Sequence, residues 1–404
     1  MLNINLKKGC YIPIWVLLIL IFAVLQTGCE NKASQRNLVI ATEDIVKKKD
    51  GINSQKELER IAESQAQNKG GATANIIEWP EEALVVCLEA TNEIAIVDLK
   101  KEKVVQKISV GTAPRDIVKS QDGKRIFVAN SMSGEVTVLE LDTGEIHYIS
   151  MGSSPTKMVI SRSGRYVYVV DYYLNGVRVL DTELLSLVKV LGLKNLGFDD
   201  REIPMDCCLD PLGTLADFGR GPSALALDLE GEMLYVGNIG TWDVAVVDLE
   251  KEWEVVSWDG VTGIRDMLIA GSPAKLYLAG IGSSEFFIDE IFVINLETGE
   301  LGQKIKIGHE PIALQLDPNG KILYALAREG QKIAAIEVAS GNILGTCEVG
   351  EGARDFALSD DGALIFVSHE EDGTVSVIAA DSLEKTTTIS VGLRPFGAVY
   401  LKQD

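Results

Sequence analysis

Along most of the chain, short apolar runs alternate with tight polar turns. In "RIFVANSMSGEVTVLELDTGEI", residues 125–146, Ile126 and Val128 alternate in one run and Val136 and Val138 in the next. Phe127 and Leu139 place apolar groups on the other face as well. The runs are short enough to be strands, and Ser131-to-Gly134 and Asp142-Thr143-Gly144 supply turn chemistry between them. Strands apolar on both faces have to be covered on both sides.

The pattern repeats. Equivalent ribbons start near Leu84, Val167, Leu234, Leu276, Leu323 and Ile365. Their second residues (Val85, Phe127, Tyr168, Tyr235, Tyr277, Tyr324 and Phe366) recur at intervals of 42, 41, 67, 42, 47 and 42 residues. The 67 is one repeat plus an insertion. Each ribbon continues into a third run such as "KVVQKISVG", and most then reach a fourth through Gly-x-x-Pro, as in "GTAPRDIVKSQDG". Four strands per repeat of about 40–45 residues is the pattern of a propeller blade. The expected fold is an all-β, seven-bladed propeller over residues 76–404. The C-terminal "RPFGAVYL" has no strands after it, and the first unit starts at its second strand. The last strand is therefore expected to complete the first blade and close the ring.

"GRYVYVVD", "GEMLYVGN" and "SPTKMVISRSGRYVYVV" resemble the YVTN-type seven-bladed propeller repeat of YncE-like and surface-layer-like proteins. The resemblance covers roughly residues 80–404. It implies the fold and says little about activity, because one propeller fold hosts many functions.

The N-terminus, "MLNINLKKGCYIPIWVLLILIFAVLQTGC", joins a basic segment to an apolar run and a small-residue site. It resembles a bacterial lipoprotein signal over residues 1–28, with Cys29 as the lipidated residue. Gln26 stands where such signals usually carry Leu. An uncleaved N-terminal anchor would tether the protein equally. Glu30 does not match the Asp retention signal for the inner membrane, so an outer-membrane or external surface is expected. Residues 29–75 read as a polar tether with a short helix at "SQKELERIAESQ". As a flexible coil it spans roughly 35–40 Å. The net charge of −21 opposes contact with phosphate backbones, so nucleic acid is excluded as a partner.

With strands A to D running outward, the D–A and B–C connections share one face and the A–B and C–D turns the other. The second face carries minimal turns such as "QDGK" and "PNGK". The first carries Tyr172, Tyr173, Trp242, Phe286 and Phe287, and an insertion over about residues 193–221. Aromatics on loops opposite a face of bare turns suggest recognition. Three A strands start with an Arg-Asp pair: Arg115-Asp116, Arg265-Asp266 and Arg354-Asp355; another carries Lys157. Such a collar can hold a small anion or polar ligand, or pair internally and fix blade to blade. His309 and His369 fall on the same face and His147 at the rim; solvated loop residues and a metal pair are both open readings.

Cys87 and Cys347 lie in apolar strands and read as core thiols. Cys207 and Cys208 are adjacent in the insertion, among Asp206, Asp210 and other acids. A vicinal disulfide, a bond to another chain and a soft-metal site are all compatible with them. Asp and Glu show no calcium-loop spacing, and no nucleophile elbow, P-loop, dinucleotide fingerprint, H-E-x-x-H or haem-attachment motif occurs. Neither a cofactor nor a metal can be assigned. The expectation is a lipid-anchored propeller that binds a protein or small-molecule ligand on its loop-rich face without catalysis. The alternative is a lactonase-like hydrolase using that face.

Overall fold

The computed structural model describes residues 72–73 and 79–403, apart from 174–175, 193–220, 229, 251–252, 260–262 and 281–287. The signal segment with Cys29, the Cys207-Cys208 pair, Phe286 and Phe287 lie outside the described residues. The rest forms seven antiparallel sheets of the same design, with no helix among the described residues.

The first blade joins β2 (Glu82–Leu88), β3 (Glu93–Asp98) and β4 (Lys103–Ser109) to the C-terminal strand β29 (Pro395–Lys402). The second is β5 (Pro114–Lys119) to β8 (Glu145–Ser150), and the third β9 (Pro155–Ile160) to β12 (Ser186–Gly192). The fourth runs from β13 (Pro222–Leu227) to β16 (Trp253–Asp259), and the fifth from β17 (Ile264–Ala270) to β20 (Leu301–Lys306). The sixth runs from β21 (Pro311–Leu316) to β24 (Ile343–Glu348), and the seventh from β25 (Ala353–Leu358) to β28 (Glu384–Ser390). Each innermost strand touches the innermost strands of both neighbours, so the ring is closed. Closure runs through β29, whose register with β2 spans Glu82↔Lys402 to Leu88↔Pro395. The expected all-β propeller is observed, down to the strand that closes it.

One short strand lies in the segment read as tether. β1 (Ala72–Thr73) pairs with β8 as a fifth strand on the outer edge of the second blade. It covers part of an edge that would otherwise offer unpaired backbone groups.

The core is divided into slabs between blades. One slab packs Val85 and Ile96 of the first blade against Ile117 and Ile126 of the second. Another packs Phe127 and Val138 of the second against Val167 and Leu180 of the third. The second strands are buried almost end to end because each serves two slabs. Burial of each such side chain contributes roughly 1.5–3 kcal/mol. The outermost strands are exposed along much of their length, as in β20 and β28.

Every innermost strand has a register shift just after it starts, as at Pro114/Asp116, Ile264/Asp266 and Ala353/Asp355. Two residues there oppose one on the partner strand, which re-aims the side chains. The shifts recur in the other four blades. They define two rings of seven residues around the axis. The outer ring is Phe396, Arg115, Thr156, Ser223, Arg265, Ile312 and Arg354. The inner ring, one residue further along each strand, is Gly397, Asp116, Lys157, Ala224, Asp266, Ala313 and Asp355.

Candidate functional site: a charged channel mouth

The inner ring sets three carboxylates around one ammonium. Lys157 Nζ lies 3.3 Å from Asp266 Oδ1. Burial opposes its charge, but Asp266, Asp116 and Asp355 outweigh that and raise its pKa. Asp116 and Asp266 are buried and act as latches between blades. Asp116 Oδ2 accepts a bond from the Met158 backbone N–H at 2.6 Å, and Asp266 Oδ2 from the Leu314 N–H at 2.9 Å. Each donor sits on the innermost strand of the next blade.

Asp355 is different. It accepts from the adjacent Phe356 N–H at 2.8 Å and has no bond to the next blade among the described residues. It is half-buried rather than enclosed. Burial, and then the like charges of Asp116 and Asp266, push its pKa up to about 7 despite Lys157. Asp116 is raised as well, mainly by burial.

The outer ring meets residues just past the second strands. Arg115 Nε donates to Glu89 Oε1 at 2.8 Å, and Arg394 Nη2 lies 3.0 Å from Glu89 Oε2. Arg394 Nε donates to Glu370 Oε1 at 3.0 Å, and Arg354 Nε lies 3.7 Å from Glu370 Oε2. Burial works against the Glu370 carboxylate, but the Arg394 bond and the nearby arginines outweigh it and hold its pKa low. The Phe396 ring lies 4.5 Å from the Arg354 guanidinium carbon and 5.8 Å from that of Arg115. This chain of charges crosses the seventh, first and second blades.

The fifth and sixth blades have no such chain. Arg265 makes no ion pair among the described residues, although solvent reaches it. Burial in the surrounding protein lowers its pKa; Tyr172 and Glu310 pull the other way, and Arg115 and Arg328 add a smaller repulsion. Among the described residues, Arg328 has an ion pair only with its chain neighbour, Glu329, at 3.9 Å. Arg354 senses both: burial and then the charges of Arg328, Arg265 and Arg115 bring its pKa down to about 10, against the pull of Glu370. Arg115, Arg265, Arg328 and Arg354 therefore act on one another's charge.

The remaining expected residues are scattered. Tyr172 borders the mouth through its influence on Arg265; Tyr173 stacks edge-on against it at 5.2 Å and is exposed. Trp242 is half-buried in the tight turn of the fourth blade, at φ 59°. His309 is exposed, in the loop whose backbone pairs with that of Gly330. His369 does not reach the surface. It is 3% exposed, with Nε2 2.9 Å from Ser376 Oγ and Nδ1 3.2 Å from the Glu351 carbonyl. Asn130 holds the same place in the second blade, donating to Thr137 Oγ1 at 2.8 Å. Burial lowers the His369 pKa, so the ring is neutral at pH 7. His147 lies on β8, 3.9 Å from Glu145. Cys87 and Cys347 are buried thiols, as expected. No group of His, Cys, Asp or Glu among the described residues is arranged to hold a metal.

Reading the sequence missed Glu89, Glu310, Arg328, Glu370, Arg394 and Phe396. A signal existed: Glu89, Tyr172, Arg328 and Glu370 each follow the last residue of a second strand. Aligning the repeats at that point places them in one ring. A cleft of about 360 Å³ lies between the third and fourth blades, lined by Tyr166, Tyr168, Asp181 and Lys189 among others. Tyr166 and Asp181 belong to the face of tight turns, so this cleft is separate from the charged mouth.

The fold and this mouth define a seven-bladed β-propeller with an axial charged opening. The cytochrome D1 heme domain family matches residues 80–205, and the family of the 7-bladed beta-propeller lactonases matches residues 300–389. No curated protein sequence matches the chain. Among solved structures, the periplasmic gluconolactonase PpgL of Pseudomonas aeruginosa is 19% identical, covering 79% of this chain and 99% of its own, at TM-score 0.61. Dihydro-heme d1 dehydrogenase NirN, in complex with DHE, is 16% identical over 81% of this chain and 77% of its own, at TM-score 0.57. Apo AztD of Citrobacter koseri is 15% identical over 79% of this chain and 98% of its own, at TM-score 0.56. At these identities the likeness concerns the fold.

Proposed function

We propose that the protein is a binding propeller of the cell envelope, lipid-anchored through Cys29, that holds a small anionic ligand over its channel mouth. The observation that carries this reading is Arg265, an exposed guanidinium of the outer ring that makes no ion pair among the described residues and is repelled by Arg115 and Arg328. Like charges held in a concavity repel each other, and an anion relieves the repulsion while gaining charge-assisted bonds. Tyr172, which acts on Arg265, adds hydrogen-bonding capacity beside it. The test is calorimetric titration with phosphate, carboxylates and sugar acids. Binding that weakens with salt and disappears in Arg265→Gln supports the reading. Binding unaffected by Arg265→Gln refutes it.

A second reading rests on one observation. The segment matching the lactonase family contains Arg328, Arg354 and Asp355, and Asp355 has a pKa near the value a general base needs at neutral pH. In that case Asp355 would activate water and the arginines would stabilise the developing oxyanion of a lactone. Release of acid from sugar lactones, lost in Asp355→Asn, is the result that would favour hydrolysis over binding.

A further inference from the structure

The slabs between neighbouring blades share one design, and between the third and fourth it stands open. In the fifth blade, Tyr277 is the third residue of β18 (Lys275–Gly280). Its hydroxyl crosses to the sixth blade and donates to the Val338 carbonyl at 3.2 Å. Val338 directly follows β23 (Lys332–Glu337). The same two positions between the third and fourth blades are Tyr168, third in β10 (Tyr166–Asp171), and Leu249, directly after β15 (Asp243–Asp248). The backbone supports the equivalence. The Leu249 N–H donates to the Glu232 carbonyl as the Val338 N–H does to that of Lys321, and each acceptor directly precedes a second strand. Yet Tyr168 and Leu249 are not bonded. Both line the cleft of about 360 Å³.

Tyr168 is 7% exposed, and its hydroxyl makes no hydrogen bond among the described residues; nor does the Leu249 carbonyl. By the equivalence with Val338, that carbonyl is turned toward the third blade. A largely buried donor and acceptor left unpaired cost free energy that a ligand can recover. Burial raises the Tyr168 pKa, and Tyr166 adds to it, so the group stays protonated and able to donate at neutral pH. Val179, Val188 and Leu191 give aliphatic walls, and Asp181 and Lys189 contribute one charge of each sign. The Asp181 carboxylate is already engaged. It accepts from Arg165 Nε and from the backbone N–H groups of Glu183 and Leu184, each at 2.9 Å.

We propose that this cleft is a second binding site, for a small neutral aromatic alcohol whose hydroxyl accepts from Tyr168 and donates to the Leu249 carbonyl. The ligand supplies the link that Tyr277 and Val338 make directly. A hydroxyl suits the place because it is donor and acceptor at once. A ring suits the walls, since it gains from a tyrosine ring stacked or edge-on beside it. The volume falls within the range of small-molecule pockets, roughly 300–1,000 Å³, and far exceeds the share of one water, about 30 Å³. The cleft does not depend on the charged mouth, so either site can fail without the other.

The test is calorimetric titration of the full-length protein with naphthol, naphthyl methyl ether and naphthoate. The ether can accept from Tyr168 but cannot donate to Leu249, and naphthoate carries a charge. Naphthol should bind about tenfold more tightly than either. Tyr168→Phe should bring naphthol down to the level of the ether. The fold carries Phe at this position in the second blade, as Phe127. Tyr277→Phe should leave the titration unchanged, because that hydroxyl serves another slab. Equal binding of naphthol and its ether, or no change in Tyr168→Phe, would overturn the proposal and leave an apolar gap. Tighter binding of naphthoate would overturn it in favour of a site governed by Lys189. If none of the three binds, the cleft is not a site. Should Tyr168→Phe not fold, the comparison of naphthol with its ether decides alone.

Discussion

The two arcs of the mouth start from the same dipeptide and end differently. On the seventh, first and second blades, Arg354 and Arg115 belong to one chain of alternating charges through Glu370, Arg394 and Glu89. On the fifth, Arg265 stands in the same strand position with no ion pair among the described residues. The residue after the second strand is Glu89 in the blade before Arg115 and Glu370 in Arg354's own blade, whereas in the blade before Arg265 it is the uncharged Ile239. An arginine at a strand start becomes a clamp or a receptor according to a loop residue it does not neighbour in sequence. The clamped arc sits where the ring closes, where a bond between blades has most to hold.

The comparison can be broken at several strengths. Deleting residues 394–404 removes β29 and Arg394 together, exposing strand edges and leaving Glu89 and Glu370 without their shared partner. The truncated chain should aggregate or lose cooperative unfolding; a soluble monomer with an unchanged melt would show that closure does not depend on this arc. Next in size, Glu370→Ala leaves Arg354 and Arg394 facing each other and should cost about 1–2 kcal/mol in urea unfolding, reduced by the exposure of Arg394. Arg265→Ala should stay within about 0.5 kcal/mol. Equal losses from the two would erase the distinction between the arcs.

A smaller effect should appear at Asp355. Its folded pKa, about 7, lies above its unfolded value, so its contribution to stability is fully present below the unfolded pKa and lost as pH rises through 7. Asp355→Asn should therefore be the more stable protein at about pH 8, by on the order of 1 kcal/mol after allowance for solvent screening, and gain nothing at about pH 4. Melting curves at the two pH values measure this, and parallel curves would show that the ring does not strain this carboxylate. Lys124→Ala and Lys321→Ala, on the face of tight turns, should leave both stability and binding unchanged. A loss of ligand binding there would place the site on the wrong face.

The fold was legible because its determinants are local and repeated. Phe127, Tyr277 and Phe366 mark strands apolar on both faces, and turns such as that at Gly123, with φ 67°, recur between them. The collar was legible only in part. Arg115, Arg265 and Arg354 look alike within their repeats, whereas their partners come from loops with no shared motif: Glu89, 26 residues before Arg115, and Glu370, after Arg354, both bridged by Arg394 just ahead of the closing strand. His369 was misplaced for a related reason. It reads as a loop histidine, but it takes the buried position that Asn130 and Asn238 occupy in other blades. The register shift at each strand start has no clear sequence mark, yet it decides that neighbouring Arg and Asp both serve the axis.

Closure by β29 also orders events in time. Leu84 pairs with Tyr400, so the first blade stays one strand short until residues 395–402 have been made. Until then β2 carries an open edge able to capture a strand from another molecule. The later blades can each assemble from a stretch of about 40 residues, but the first must close a loop of about 310. Because the entropy of loop closure grows only logarithmically, that costs about 2 kcal/mol more than an ordinary blade. The ladder from Glu82 to Leu88, and then the charges at Arg394, come last and are the steps a partly made chain cannot take. Folding of the propeller should therefore finish where β29 meets β2.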